Sequence, residues 1–225
     1  ISAMRTAVAQ GLAARYLARK DSNSVGLVGA GRIGGLILYV INQWFPDIDT
    51  YRVFDLDRKR AAAFAMHMKK FDVNVELTDT FVEALAPSDI TVAATTAEQA
   101  YIPPECFKPG SVFMNVSLMD PTFEHVQLAD KIVVDDWKQC IHSDRVLARM
   151  HKQGLLTREN LHAEFGEIVN GDRAGRENNE ERIFWNPFGL AIEDLAVAMA
   201  VYRAAKALGV GKTLELVDSE WDVLF

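Results

Sequence analysis

The sequence predicts an α/β fold with a doubly wound parallel sheet, on two observations. Short apolar runs such as 90–94 alternate along the chain with amphipathic helical patterns. The first apolar run, 24–28, leads directly into a glycine-rich turn that opens a helical segment. Near-continuous apolar strands are typical of parallel sheets that helices cover on both faces. Such folds bind ligands at the carboxyl ends of their strands, so we expect the functional residues there.

Apolar runs define the strands, and helical spacing defines the segments between them. Strands are predicted at 24–28, 51–54, 73–77, 90–94, 112–117 and 131–135. Helices are predicted at 2–19, 32–44, 57–70, 79–86, 143–152 and 158–170, with a long last helix that ends at Gly209. Within 79–86, Thr80 and Glu83 have the spacing of a capping box. The charged stretch 171–182 is predicted to be a loop.

The turn after the first strand carries the pattern Gly-x-Gly-x-x-Gly at Gly29, Gly31 and Gly34. In a strand–turn–helix setting, the first glycine forms the tight turn and the second lets the backbone approach a pyrophosphate. The third lets the helix pack closely on the strand, and the helix N-terminus attracts the phosphates. The pattern alone is weak, but its place after an apolar strand indicates a dinucleotide site of the Rossmann type.

Asp55 closes the second apolar strand and supports this interpretation. It follows Gly34 at a distance close to the roughly 20 residues at which an acid meets the ribose hydroxyls of NAD. A carboxylate there repels a 2′-phosphate, which favours NAD over NADP. Arg58, Lys59 and Arg60 follow and could receive a phosphate if the loop turned them inward, but we interpret them as a solvated first helical turn.

The elements separate into two domains. Residues 21–182 are predicted to form the Rossmann-like nucleotide-binding domain. Residues 1–20 and 183–225 are predicted to be helical parts of a second, incomplete substrate and dimerisation domain, with the last helix packed on the first. The remainder of that domain is expected upstream of Ile1.

Composition and charge exclude several classes of protein. With 225 residues, 49% of them hydrophobic, the chain can bury a substantial core. A net charge of −7 argues against a nucleic-acid partner, which would require clustered basic side chains. No apolar run reaches the roughly 18 residues that cross a bilayer, so we expect a soluble protein without a membrane partner. The two cysteines, Cys106 and Cys140, suit a reducing, cytoplasmic setting and are interpreted as half-buried thiols.

Polar residues follow the fourth and fifth strands, where the nicotinamide half of a cofactor would lie. Thr95 and Thr96 follow the fourth strand, and 117–120 follows the fifth. Asp120 is the better catalytic candidate, because burial can raise the pKa of a carboxyl group and allow it to shuttle a proton. An exposed turn residue before Pro121 is an equally good interpretation of Asp120.

Arg5 is a second candidate. It lies in the first turn of the opening helix, where the helix dipole slightly disfavours a cation. A guanidinium could bind a substrate carboxylate or the pyrophosphate with paired hydrogen bonds, although an exposed arginine is the commoner situation. Glu193 and Asp194 are interpreted as a charged face or a first helical turn. The histidines lack metal-ligand spacing, so no metal is predicted.

Several segments together resemble the ornithine cyclodeaminase and mu-crystallin family. These segments are 2–7, 29–31, 115–120, 163–171 and 188–194, and their order and spacing match across nearly the whole chain. The resemblance implies a Rossmann-like domain, a substrate and dimerisation domain, and a homodimer in the full-length protein. It also implies NAD as cofactor, with NADP less favoured, and an amino acid as small-molecule substrate.

The resemblance also implies roles for individual residues. Arg5 would bridge the substrate carboxylate and the cofactor, and Asp120 would be the proton-transferring acid. Phe188 would join Arg5 and Asp120 in contacting the substrate. The residues expected to bind the cofactor are Arg5, Thr6, Gly29, Ala30, Gly31, Arg32, Ile33, Gly34, Asp55, Leu56, Asp57, Thr95, Thr96, Ser117 and Leu118.

Departures from the family pattern reduce the number of activities that the resemblance implies. The family commonly has glutamine at Ile33 and serine at Pro187, and the cyclodeaminases have glycines at Leu118 and Met119. The run 186–189 is closer to relatives that act as NAD-dependent dehydrogenases. The resemblance thus implies an enzyme that transfers hydride at the α-carbon of an amino acid or its imine, either a dehydrogenase or a deaminating lyase. The alternative is a non-catalytic accessory or sensor protein that binds NAD(P).

Overall fold

The computed structural model describes residues 1–214 and contains an eight-stranded, fully parallel sheet. The strands are β1 Ser24–Val28, β2 Thr50–Phe54, β3 Val75–Leu77, β4 Ile90–Ala93, β5 Val112–Asn115, β6 Lys131–Val134, β7 Ala163–Glu164 and β8 Ile183–Asn186. Their order across the sheet is β3-β2-β1-β4-β5-β8-β6-β7, and every neighbouring pair is parallel. The predicted α/β fold class is therefore confirmed.

Helices connect and cover the strands. They are α1 Ser2–Leu17, α2 Arg32–Trp44, α3 Arg58–Met68, α4 Phe81–Leu85, α5 Phe123–Gln127, α6 Trp137–Ile141, α7 Val146–Lys152, α8 Phe165–Val169 and α9 Ala191–Leu208. Thr80 caps α4 as predicted, since its hydroxyl accepts a hydrogen bond from the Glu83 N–H at 3.2 Å. The helices within residues 1–214 include none that is long and apolar enough to cross a membrane.

Two hydrophobic cores lie on the two faces of the sheet. On β5, the side chain of Phe113 joins one core, whereas Val112 and Met114 join the other. α1, α2, α3 and α8 contribute to the core that contains Met114. α4, α5, α6 and α7 contribute to the core that contains Phe113. Because consecutive strand residues face opposite sides, this alternation shows that helices cover both faces of the sheet.

The predicted boundaries need three corrections. All six predicted strands are present, but the segment 158–170 is not one helix. It contains β7 and the shorter α8, and the helix predicted at 143–152 begins only at Val146. The segment 183–186, which we assigned to the second domain, forms β8 in the interior of the sheet. A four-residue apolar run has no periodicity that separates strand from helix, which explains the error.

β8 is fully buried between β5 and β6. Its Trp185 side chain donates a hydrogen bond through Nε1 to the Gln10 side chain of α1 at 2.8 Å. α1 thus packs against the sheet directly, although residues 1–20 were assigned to the other domain.

α9 packs on α1 and contains no buried residue. Ile192, Leu195 and Tyr202 are each at least 61% exposed. The helix has the predicted place and ends at Gly209, whose φ of +66° forms a left-handed C-cap. The remainder of the predicted segment 183–225, from residue 215 onward, lies outside the described residues.

A buried histidine lies in the core that contains Phe113. The His125 ring stacks on Phe107 with ring centroids 4.7 Å apart, and its Nδ1 lies 3.0 Å from the carbonyl oxygen of Pro103. Burial lowers the pKa of His125 to about 4. Cys106 and Cys140 are also buried, more deeply than predicted, and burial raises the pKa of each thiol to about 12.

Candidate nucleotide site

A cavity of about 670 Å³ opens at the carboxyl ends of β1, β2 and β4. This volume lies within the range of small-molecule sites. The cavity has the position that the doubly wound fold predicts for its ligand. Residues from the predicted cofactor set that line it are Gly29, Gly31, Asp55, Leu56, Thr95 and Thr96.

The three glycines of the turn meet three different spatial demands. Gly29 has a φ of +100°, and a Cβ there would lie 2.3 Å from the Ala94 carbonyl oxygen. A Cβ on Gly34 would lie 2.6 Å from the Gly29 carbonyl oxygen, so this glycine brings α2 close to β1. A Cβ on Gly31 would meet no atom within 4 Å among the residues that the structure describes, its chain neighbours aside. The first and third glycines therefore serve packing, whereas the second leaves open space for a ligand.

The N-terminus of α2 begins at this open space. Gly31 is the N-cap residue, and neither a side-chain cap nor an acidic first-turn residue neutralises the helix end. The first N–H groups of a helix have no partner within it and carry partial positive charge. Arg32 and Ile33, both exposed, form the first turn. The cavity, the open space at Gly31 and the uncapped helix thus fit the phosphates of a dinucleotide.

Asp55 follows β2 and is 6% exposed. Its Oδ2 accepts hydrogen bonds from the Ala30 N–H at 2.8 Å and from Arg60 Nε at 3.1 Å. Its Oδ1 accepts from the Asp57 N–H at 2.8 Å and from Arg60 Nη2 at 2.7 Å. Burial opposes ionisation, but these hydrogen bonds outweigh it and hold the pKa of Asp55 below its usual value. Asp55 therefore joins the glycine turn to the loop after β2 as a carboxylate.

Asp120 is completely buried, which excludes the exposed-turn interpretation. Its carboxylate accepts hydrogen bonds from the hydroxyls of Thr95 and Ser117, and from the Tyr101 hydroxyl at 3.1 Å. Its carbonyl oxygen accepts from the N–H groups of Tyr101 and Ile102, both at 2.8 Å. Asp120 thereby joins the loops after β4 and β5. Thr95 and Tyr101 line the cavity and contact Asp120, so they lie between the carboxylate and the ligand space.

The backbone before Asp120 is strained at one position that departs from the family pattern. Leu118 has a φ of +69°, in the left-handed region that glycine adopts without steric cost. Its carbonyl oxygen accepts a hydrogen bond from the Val146 N–H of α7 at 3.0 Å, which helps to hold this conformation. The glycine common at this position in cyclodeaminases would relieve the strain, whereas leucine adds bulk to the loop.

Arg5 lies outside the lining of this cavity and contacts the first turn of α9. Its Nε donates to Asp194 at 3.0 Å, and its Nη1 lies 3.4 Å from Glu193. The Arg5 side chain is only 18% exposed, so the exposed-arginine interpretation is wrong. Burial raises the pKa of Glu193 despite the nearby guanidinium. A Cβ on Gly189 would lie 2.8 Å from Arg5 Nη1, so the glycine admits the arginine.

Other predicted residues have different local contacts. Thr6 donates its hydroxyl to the Ser2 carbonyl oxygen at 3.0 Å, within α1. Asp57 caps α3, because its side chain accepts hydrogen bonds from the N–H groups of Lys59 and Arg60 at 3.0 and 3.1 Å. Phe188 is 39% exposed, on the segment that precedes α9. The described contacts thus place Arg5 against the first turn of α9, and they place Asp120 among the loops after β4 and β5.

Several cavity residues escaped the sequence analysis. Asp79, Thr80 and Phe81 line the cavity beyond the carboxyl end of β3, a strand end that is not among those predicted to carry functional residues. The same positional rule would have found them. Arg60 also lines the cavity, whereas we interpreted it as a solvated surface residue. The signal for Tyr101 was absent, since a tyrosine in a long loop has no characteristic spacing.

The fold and the glycine turn define a doubly wound α/β protein with a dinucleotide-type site. Residues 1–208 match the ornithine cyclodeaminase/mu-crystallin family. The chain belongs to this family, as the sequence resemblance implied.

Similar curated proteins include enzymes of amino-acid chemistry. The chain is 34% identical over 218 residues to N-((2S)-2-amino-2-carboxyethyl)-L-glutamate dehydrogenase of Staphylococcus aureus, covering 96% of this chain and 65% of that protein. It is 29% identical to alanine dehydrogenase of Archaeoglobus fulgidus, covering 95% of this chain and 66% of that protein. The chain thus spans slightly less than two thirds of the length of these relatives.

A solved structure shows the same architecture. The Δ1-pyrroline-2-carboxylate reductase of Thermococcus litoralis, in complex with NADH and L-proline, has a TM-score of 0.87 and 34% sequence identity. The match covers 95% of this chain and 67% of the reductase chain. An archaeal alanine dehydrogenase dimer with bound NAD has a TM-score of 0.85 and 30% identity, covering 96% of this chain and 67% of that one.

Proposed function

We propose that this chain is the cofactor-binding part of an NAD-dependent enzyme that transfers hydride at the α-carbon of an amino acid or its imine. The observation that carries the proposal is the cavity that runs from the glycine turn to Thr95 and Tyr101. The cavity connects the N-terminus of α2, where phosphates could bind, to the hydroxyls of Thr95 and Tyr101, which contact the buried Asp120 carboxylate. The names of the similar proteins above, three dehydrogenases and a reductase, support chemistry of this class.

The residues that would hold the cofactor follow the cavity. The backbone from Ala30 to Ile33, with Arg32 between them, would bind the pyrophosphate at the start of α2. Asp55 and the exposed Leu56 would contact the adenosine half. Thr95, Thr96, Ser117 and Leu118 would form the nicotinamide end. A bound nicotinamide would supply the hydride acceptor or donor, which protein side chains do not provide.

Asp120 is the proposed proton-transferring group. In the oxidation of an amine to an imine, the nitrogen must lose a proton, and a carboxylate is a suitable acceptor. Asp120 is buried behind Thr95 and Tyr101, so its proton would pass through a hydroxyl in that layer or through a small movement of the loop. Arg5 would bind the substrate carboxylate, in exchange for its present partners Glu193 and Asp194.

We further propose that α1 and α9 belong to a substrate and dimerisation domain of a cytoplasmic homodimer, with Phe188 near the substrate. The apolar residues Ile192 and Leu195 of α9 support a partner surface, because groups of large exposed apolar residues commonly mark interfaces. The third of the relatives that this chain does not match could supply such a surface.

A screen of amino acids with NAD tests the proposed function on the full-length protein. A dehydrogenase accumulates NADH and a keto acid, whereas a cyclodeaminase releases ammonia without net NADH. A reductase consumes NADH when an imine is supplied. If the protein binds NAD but no amino acid or imine changes NADH or ammonia, the alternative of a nucleotide sensor replaces the enzyme.

A further inference from the structure

The Arg60 guanidinium lies on the side of the cavity where the adenosine ribose would bind. It forms a two-point contact with Asp55, at 3.1 Å through Nε and 2.7 Å through Nη2. Arg60 also lines the cavity, and its side chain is 57% exposed. The sequence pattern placed only the acid at this site, whereas the structure places an acid and an arginine together.

The hydrogen bonds of Asp55 show which partner it can give up. Each carboxylate oxygen accepts two hydrogen bonds, one from a backbone N–H and one from Arg60. The backbone donors belong to Ala30 and Asp57, which the glycine turn and the cap of α3 hold in place. Arg60 is the long, largely exposed donor. Ribose hydroxyls can therefore reach Asp55 if Arg60 moves away, without loss of the backbone hydrogen bonds.

The same movement frees a guanidinium beside the ribose. A guanidinium binds phosphate with paired, charge-assisted hydrogen bonds. The neighbouring charges balance, since Asp57 and Asp79 are matched by Arg58 and Lys59 in addition to the Asp55–Arg60 pair. Arg58 is held by Asp79 at 2.7 Å and by the Thr78 carbonyl oxygen at 2.8 Å. Of these three cations, Arg60 alone is among the described residues that line the cavity, so it is the one in position to meet a 2′-phosphate.

We propose that Arg60 is a specificity-determining residue that allows this site to bind NADP as well as NAD. The inference rests on the proposed nucleotide-binding function and deepens it. With NAD, the ribose hydroxyls take the place of Arg60 on Asp55. With NADP, Arg60 turns to the 2′-phosphate and offsets the repulsion from Asp55, which the backbone donors continue to hold.

Equilibrium binding tests the proposal without turnover. NADH and NADPH are titrated separately into the full-length protein, and binding is followed by nucleotide fluorescence. The wild-type protein is expected to bind both. Arg60→Ala is expected to weaken NADPH binding by about tenfold or more, the loss of one charge-assisted contact. NADH binding should change by less than about threefold, because its ribose gains access to Asp55.

Two further variants separate charge recognition from structure. Arg60→Lys keeps the positive charge and should retain NADPH binding within about fivefold, since a lysine lacks only the planar fork. Arg58→Ala, the matched control, removes a cation of the same helix turn and should leave the ratio of the two affinities unchanged. Thermal unfolding of each variant establishes that it is folded.

The outcomes separate this inference from the proposed function. A wild-type protein that binds NADH and not NADPH overturns the role of Arg60 alone. Equal weakening of both nucleotides by Arg60→Ala also overturns it, because Arg60 would then only position Asp55. A folded wild-type protein that binds neither nucleotide overturns the proposed function itself, and this inference with it.

Discussion

The open space at Gly31 predicts that folding and nucleotide binding can be separated within one turn. Gly31→Ala places a methyl group where no atom lies within 4 Å. Gly34→Ala places the same group 2.6 Å from the Gly29 carbonyl oxygen. The two variants have identical chemistry and lie in the same turn, so each is the control for the other.

The expected stability changes differ because the surroundings differ. A methyl group forced against backbone costs about 1–3 kcal/mol, so Gly34→Ala should lose that amount. At roughly 2–4 °C per kcal/mol for a chain of this size, its melting temperature should fall by about 2–12 °C. Gly31→Ala changes only the N-cap of α2, at about 1 kcal/mol.

The order of the two variants should reverse for nucleotide affinity. Gly31→Ala should weaken nucleotide binding more than Gly34→Ala does. If the pyrophosphate approaches Gly31, a methyl group there removes at least one charge-assisted hydrogen bond, worth about 1.5–3 kcal/mol. NADH should then bind about ten- to a hundredfold more weakly, with the fold preserved. Thermal unfolding and NADH titration measure the two effects. Wild-type affinity in a stable Gly31→Ala protein would refute the phosphate site, and a Gly31→Ala protein that loses clearly more than about 1 kcal/mol of stability would refute the open space.

Three further variants test separate charges. Asp120→Asn should keep NADH affinity but lose about a hundredfold or more in turnover, and equal turnover in a steady-state assay would exclude proton transfer by Asp120. Asp55→Asn should lose about 1–3 kcal/mol at neutral pH. Because the pKa of Asp55 is lowered in the native state, its stabilisation is present above the usual pKa and is lost on acidification through the native value, so thermal unfolding of the variant and wild type should converge there. His125, with a native pKa of about 4, should cost the wild type about 3 kcal/mol between pH 6.5 and 4, because only the unfolded chain takes up that proton. His125→Phe should remove this component, and parallel pH profiles in urea unfolding would contradict it.

The local part of the site was predictable because local rules determine it. The glycine spacing between 29 and 34 follows from strand, turn and helix geometry within one short segment. Asp55 was also found, because the second strand ends at a nearly constant distance from the turn. Gly29, Gly31 and Asp55 line the cavity. The role of each glycine was predicted from the pattern. The Cβ distances in the structure then distinguish Gly29 and Gly34, which serve packing, from Gly31, which faces the ligand space.

The non-local part was not predictable in the same way. The place of β8 depends on strands distant in the sequence, because its partners β5 and β6 begin at Val112 and Lys131. The contact between Arg60 and Asp55 depends on how α3 leaves its loop, so charge and spacing alone suggested a solvated side chain. The burial of Asp120 depends on hydroxyls from two different loops, and the sequence left its role open.

The position of β8 has a consequence for the order in which the sheet can assemble. The strands β6 and β7 join the remaining strands only through β8, which is synthesised after both of them. A nascent chain that ends before Ile183 can therefore form the sheet β3-β2-β1-β4-β5, but β5 keeps an unpaired edge. An unpaired edge strand is a template for unwanted association. The sheet is therefore completed only when β8 pairs with strands that are distant in the sequence, and long-range pairings of this kind form more slowly than local contacts.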